Sequence, residues 1–173
     1  MISVRDAQAR VLAQVTTLTS PELIPVSGAL KRVLAEDLHA AFDVPPADNS
    51  AVDGYAVSSR DILAEGHAAL TVIADLPAGS IFDGVVRRGR SIRIMTGAPM
   101  PKGTDTVVPQ EVTERDGDTV LIPPISKHAN VRFAGEDVKA GSVIIRAGSV
   151  LRPQELGLVA SLGHSQITVR RRP

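Results

Sequence analysis

Cysteine is absent from this chain, which excludes disulfides, thiolate metal sites and a cysteine nucleophile. Aromatic residues are scarce: one Tyr, three Phe and no Trp. A surface that stacks nucleic-acid bases needs such platforms, so nucleic acid is not an expected partner. Net charge is also missing. The 19 Lys and Arg balance the 19 Asp and Glu, and no global field draws the chain to a polyanion or a membrane surface. No window approaches the ~18 apolar residues of a membrane span. The start, Met1-Ile2-Ser3-Val4-Arg5-Asp6, lacks the apolar run of a signal peptide. The expected compartment is the cytoplasm.

What is present is aliphatic. At 173 residues the chain makes one large domain or two small ones, and its core must come from Val, Leu, Ile and Ala. Ser3 with Asp6 three residues on reads as a helix cap. Val4, Ala7, Val11, Val15 and Leu18 recur at helical spacing, predicting a helix from about Val4 to Leu18. Glu22 to Val26 reads as extended. Ser27 is a candidate cap for a second, short helix carrying Leu30, Val33 and Leu34. Ala35 to Ala40 alternates like a strand.

After Gly54 the pattern becomes β-rich. Strands are expected at Ala69–Ala74, Ser91–Met95 and Thr104–Val112. A hairpin is expected around Asp116-Gly117-Asp118, and a further strand at Val143–Arg146. Pro153 then opens a helix at its first position, with Leu156, Val159, Ala160 and Leu162 as its stripe and Gly163 as its stop. Gln166–Arg170 closes the chain as a strand. The predicted fold class is α+β: a helical and strand lobe with an inserted, small β-barrel-like lobe. The expected division is 1–42 plus 130–173 for the first lobe and 43–129 for the insert.

Three polar stretches carry candidate chemistry. In Asp48-Asn49-Ser50-Ala51-Val52-Asp53, two carboxylates with flanking oxygens suit a hard cation such as Mg²⁺. Read alone, the stretch is better taken as an Asx-turn network, with Asp48 and Asn49 bonding their own backbone. In Arg93 to Pro101, a strand runs into a Thr96-Gly97 turn that can aim a hydroxyl and N–H groups at an oxyanion. Pro99 and Pro101 donate nothing, and a rigid turn is the other reading. In Asn130 to Asp137, Arg132 lies near Glu136 and Asp137, as an oxyanion fork or as a surface ion pair. The four His show no metal-ligand spacing. Arg170-Arg171-Arg172 reads as a solvated linker.

Asp48-Asn49-Ser50-Ala51-Val52-Asp53-Gly54-Tyr55-Ala56 resembles the signature loop of the molybdopterin molybdenumtransferase family, which includes MoeA and the gephyrin E domain. Arg93–Pro101 with Val107-Val108-Pro109-Gln110-Glu111, Asn130–Asp137, and Gly148–Gly163 resemble further motifs of that family, in order. Val52 stands where the family usually has Met, and Ala47 where it has Phe; both are packing changes. The resemblance implies insertion of molybdate into adenylylated molybdopterin with a divalent cation and release of AMP. It implies catalytic roles for Asp53, Thr96 and Asp137. Ser50, Arg132 and Glu136 would contact substrate, and Asp53 and Asp137 would bind Mg²⁺. It also implies a homodimer, with a pterin-supplying adenylyltransferase and molybdoenzymes or their chaperones as partners, and no membrane. Family enzymes carry a further pterin-binding domain with a Thr-Gly-Asp-Glu motif and a small β domain. On this expectation the chain is the two-lobed N-terminal portion, inactive alone. The alternative is a non-catalytic homodimerisation or interaction module.

Overall fold

Ser3 caps the first helix: its hydroxyl accepts the Asp6 N–H at 3.1 Å and donates to the Asp6 carboxylate at 2.7 Å. Helix α1 spans Val4–Ala13 and closes on Gln14. The computed structural model describes residues 2–15 and 20–172; Gln14 and Val15 lie beyond the helix, short of the predicted end, and the rest of the predicted final turn, 16–18, lies outside the described residues. No residue of α1 is buried within this chain.

The chain divides into two units, Met1–Ala41 with Gly141–Pro173, and Phe42–Ala140. In the first unit, β1 (Pro21–Pro25) is followed by a single 3-10 turn at Val26–Gly28 and then by β2 (Leu38–His39). The second helix expected after Ser27 is not formed. Lys31 adopts a left-handed φ of 62°, which breaks a helix, and Ser27 caps nothing. Val33 and Leu34 instead sit in extended bridges to Val150 and Val169. Tertiary pairing overrides the helical spacing of Leu30, Val33 and Leu34.

The second unit contains β3 (Asn49–Ser50), β4 (Gly54–Val57), β5 (Ala68–Leu76), β6 (Arg90–Ile94), β7 (Thr106–Pro109), β8 (Glu114–Asp116), β9 (Thr119–Ile122) and β10 (Val131–Arg132). Six of these form one mixed sheet in the order β7-β4-β6-β5-β9-β8. Only β5 and β6 run parallel; the other neighbours are antiparallel. Strands β7 and β8 remain edges, so the pairing leaves the sheet open. Alternation sorts its side chains onto two faces. Tyr55, Val57, Leu70, Val72, Val108, Val120 and Ile122 form one cluster, and Ala56, Leu76, Ile92, Ile94, Ala98 and Val107 the other. All four residues of β4 are buried, as its central position requires. The hairpin expected at Asp116-Gly117-Asp118 is present between β8 and β9.

Back in the first unit come β11 (Val143–Ile145), α2 (Pro153–Ser161) and β12 (Gln166–Arg170). Strand β12 pairs with β1 and β11 with β2, both antiparallel. Leu34, Leu151, Val159, Ile167 and Val169 form this unit's core. Of the stripe expected on α2, Val159 is buried and Ala160 is exposed; Leu162, which caps the helix, is buried. Arg32 is a buried cation. It donates to the Glu22 carboxylate and, at 2.7 Å, to the Arg170 carbonyl.

The second boundary falls after residue 140, not after 129. Strand β10 pairs with β3, and Val138 bridges Val44, so 130–140 is tied to the inserted unit.

Candidate functional site

All three polar stretches lie in the unit 42–140, and backbone bonds join them. Ser50 N–H donates to the Ala98 carbonyl at 3.0 Å, Gly97 N–H to the Ser50 carbonyl at 2.8 Å, and Met100 N–H to the Asp48 carbonyl at 2.8 Å. These stitch the first loop to the second. The third joins from the other side, where Ser50 faces Val131 and Asn49 faces Arg132 in the β3–β10 pair. Ala51 N–H donates to the Asn130 carbonyl at 2.9 Å, and Asp48 Oδ1 accepts the Ala134 N–H at 2.8 Å. The left-handed Gly97, with φ 81°, lets the second loop turn back against the first.

Within this assembly the residues divide by role. The Ser50 hydroxyl donates to the Val52 carbonyl at 2.5 Å and accepts the Val52 N–H at 3.3 Å. Ser50 is 1% exposed, so it is a turn residue and not the substrate contact expected of it. Asp48 is likewise occupied by a backbone N–H. For Ser50, turn chemistry is the correct reading, whereas the Asp48 carboxylate ties its loop to the third stretch.

Asp53 differs. Its Oδ1 accepts the Thr96 N–H at 2.8 Å and the Thr96 hydroxyl at 2.7 Å. Among the described residues nothing bonds its Oδ2. The Thr96 N–H, then the Thr96 hydroxyl, hold the Asp53 carboxyl below the usual carboxylate range against a small cost of burial, with the Arg93 charge assisting. Asp53 is a fixed anion with one open oxygen.

Arg132, Glu136 and Asp137 form a second group. Arg132 Nε donates to Glu136 Oε1 at 3.0 Å and its Nη2 to Asp137 Oδ2 at 2.5 Å. The Phe133 N–H donates to Glu136 Oε2 at 3.0 Å. The Arg132 hydrogen bond, followed by the Phe133 N–H, holds the Glu136 carboxyl below the usual carboxylate range. Asp137 is thus paired with Arg132 and not with Asp53. Among the described residues no group of three or more His, Cys, Asp or Glu is placed to hold a metal ion.

Sequence reasoning passed over two residues that complete the site. Gln110 donates its backbone N–H to the Asp53 carbonyl at 3.1 Å, and its Oε1 accepts from Arg93 Nη2 at 3.3 Å. Both stand inside quoted motifs, but nothing in their spacing pointed to Asp53.

Residues 2–163 match the family described as the MoeA N-terminal region, domains I and II. The chain belongs to this family. It is 37% identical over 169 residues to the molybdopterin molybdenumtransferase of Haemophilus influenzae, covering 96% of this chain and 41% of that protein. It is 36% identical to molybdopterin molybdenumtransferase 2 of Mycobacterium tuberculosis, covering 98% of this chain and 42% of that protein. The crystal structure of the molybdopterin biosynthesis moeA protein of Pyrococcus horikoshii superposes with a TM-score of 0.94 at 37% identity, over 100% of this chain and 47% of that one. The chain therefore spans about two fifths of the length of the curated relatives it matches. As in that structure, its fold is α+β.

Proposed function

We propose that this chain supplies the Asp53–Thr96 wall of a molybdenum insertase, which transfers molybdate to adenylylated molybdopterin and releases AMP. The observation that carries the reading is the Asp53 carboxylate, fixed by Thr96 and open at Oδ2, at the join of three motif loops. Thr96 acts as its positioning residue. Mg²⁺ is often held by one or two carboxylates together with substrate phosphates. Asp53 offers one such oxygen, so the remaining ligands would come from the substrate and from outside the described residues. The cation would neutralise charge between carboxylate and oxyanion. Arg132, Glu136 and Asp137 form the rim of the same assembly. The reaction belongs in the cytoplasm, between the adenylyltransferase that supplies the pterin and the molybdoenzymes or chaperones that receive the cofactor. The 173 residues alone do not turn over.

A chimera tests this. The chain replaces the matching 169-residue segment of the Haemophilus influenzae transferase, and molybdenum insertion is assayed. Asp53→Asn keeps an acceptor for Thr96 and removes the charge. The expected loss is at least about 100-fold, the scale of removing one preorganised electrostatic group, with an unchanged melting temperature. Insertion at the unsubstituted rate sinks the assignment.

One observation favours a second reading, a homodimerisation module. Val4, Val11 and Leu12 of α1 are 78, 65 and 69% exposed and line one apolar groove with Ala7.

A further inference from the structure

The strongest unassigned group near Asp53 is Arg93, on β6. A guanidinium has five N–H donors in a planar fork. Arg132 directs two of its nitrogens at carboxylates, and its group of one cation and two anions carries a net charge of −1. That arrangement repels a dianion and leaves little of the fork to bind one. Arg93 differs on both counts. Among the described residues its side chain makes one hydrogen bond, to the neutral Gln110 amide at 3.3 Å. The nearest carboxylate, Asp75 Oδ1, stands 3.9 Å from its Nη1, and the Arg115 Nη1 stands 3.9 Å from the same oxygen. Two guanidiniums thus share one aspartate. The Arg93 side chain is 38% exposed, so its unused donors reach solvent. It lies three residues before Thr96 and across the β4–β6 pair from Tyr55, two residues beyond Asp53. Its charge acts on the Asp53 carboxyl.

We infer that Arg93, held by Gln110, is the residue that receives the tetrahedral oxyanion of the substrate beside the Asp53–Thr96 pair, and that Arg132 is not. The inference rests on the insertase reading and deepens it. A free guanidinium fork accepts a tetrahedral oxyanion through two parallel charge-assisted bonds, and its Gln110 partner is itself tied by its backbone N–H to the Asp53 carbonyl. Gln110 sets the position of the fork without neutralising it, because an amide carries no charge.

The test reads binding alone, on the 173-residue chain, by calorimetric titration with sodium molybdate. The unsubstituted chain binds saturably, and Arg93→Gln weakens binding by about tenfold or more, the scale of losing charge-assisted bonds. Arg93→Lys keeps a point charge without the fork and lies between the two. Gln110→Glu, which leaves Arg93 in place but pairs it with a carboxylate, also weakens binding and covers the case in which Arg93→Gln fails to fold. Arg60→Gln, at an exposed arginine elsewhere in the same unit, binds as the unsubstituted chain does. The inference is overturned if the unsubstituted chain shows no saturable binding. It is also overturned if a folded Arg93→Gln binds normally, or if Arg132→Gln abolishes binding while Arg93→Gln does not. Sulfate binding as tightly as molybdate, and equally lost in Arg93→Gln, supports the oxyanion site while counting against the molybdenum reading.

Discussion

At Gly54 the backbones of β4 and β7 approach so closely that a Cβ would stand 2.1 Å from the Val108 carbonyl oxygen. The obstacle is main chain, which cannot rotate away. Gly54→Ala must therefore push the two strands apart, at the residue next to Asp53. The expected cost is about 3 kcal/mol, at the upper end for overpacking a buried site. Denaturant unfolding of the chain measures it, and a variant within 0.5 kcal/mol of the parent, the usual range of ~0.5 kcal/mol for surface changes, would contradict the close approach. Asp105 shows the same dependence on neighbours. Burial raises the pKa of its carboxyl, but hydrogen bonds from the Ser59 hydroxyl and N–H, at 2.7 and 2.6 Å, together with Thr106 bring it below the usual range. Neither feature was legible in the sequence. A glycine looks the same whether it turns a loop or admits a neighbouring strand.

Helix α2 begins where Pro153 predicts, but its cap comes from an unexpected pair. The Arg152 N–H donates to Glu155 Oε2 at 2.9 Å, and the Arg152 guanidinium donates to Glu155 Oε1 at 2.6 Å. These bonds, the guanidinium first, hold the Glu155 carboxyl at about 2, below its ordinary 4.5. The sign follows from the depressed folded value. The stabilisation is fully present above pH 4.5, the unfolded value, and is lost as pH falls towards 2. Carboxyl NMR should place the Glu155 titration near pH 2, and Glu155→Gln should flatten the loss of stability between pH 4.5 and 2. An ordinary titration near 4.5 would remove Glu155 from the cap. Both ends of α2 were readable from local chemistry, as was the Ser3–Asp6 start of α1. The helix expected after Ser27 was not, because its apolar residues answer to bridges with Val150 and Val169, more than 100 residues away.

For the whole molecule, the apolar face of α1 is left exposed among the described residues. If it closes a homodimer, sedimentation equilibrium at tens of micromolar should give twice the 18.2 kDa chain mass. Leu12→Lys, which puts a charge in the centre of that face, should give a monomer with its melting temperature nearly unchanged. A monomeric parent chain, or a Leu12→Lys dimer as stable as the parent, would refute the α1 interface. Three core clusters, one in the first unit and two in the second, lie behind the division into units. Leu34, Leu151 and Val159 pack in the first, and the two faces of the six-stranded sheet carry the other two.

The sequence by itself determined most of the strands, the Ser3 cap of α1, the start and stop of α2 and the family, because these depend on alternation, local capping residues and ordered motifs that local chemistry writes down. It also marked Asp53 and Thr96 as candidates. Only the tertiary structure decided that the three loops meet, since the bonds between Ser50 and Ala98 and between Asp48 and Ala134 span 48 and 86 residues. The same long-range bonds turned Ser50 and Asp48 into structural residues, paired Asp137 with Arg132, and left Asp53 with one open oxygen. Composition cannot reveal which polar atoms remain unbonded after folding, and at this site those atoms separate a satisfied turn from a binding wall.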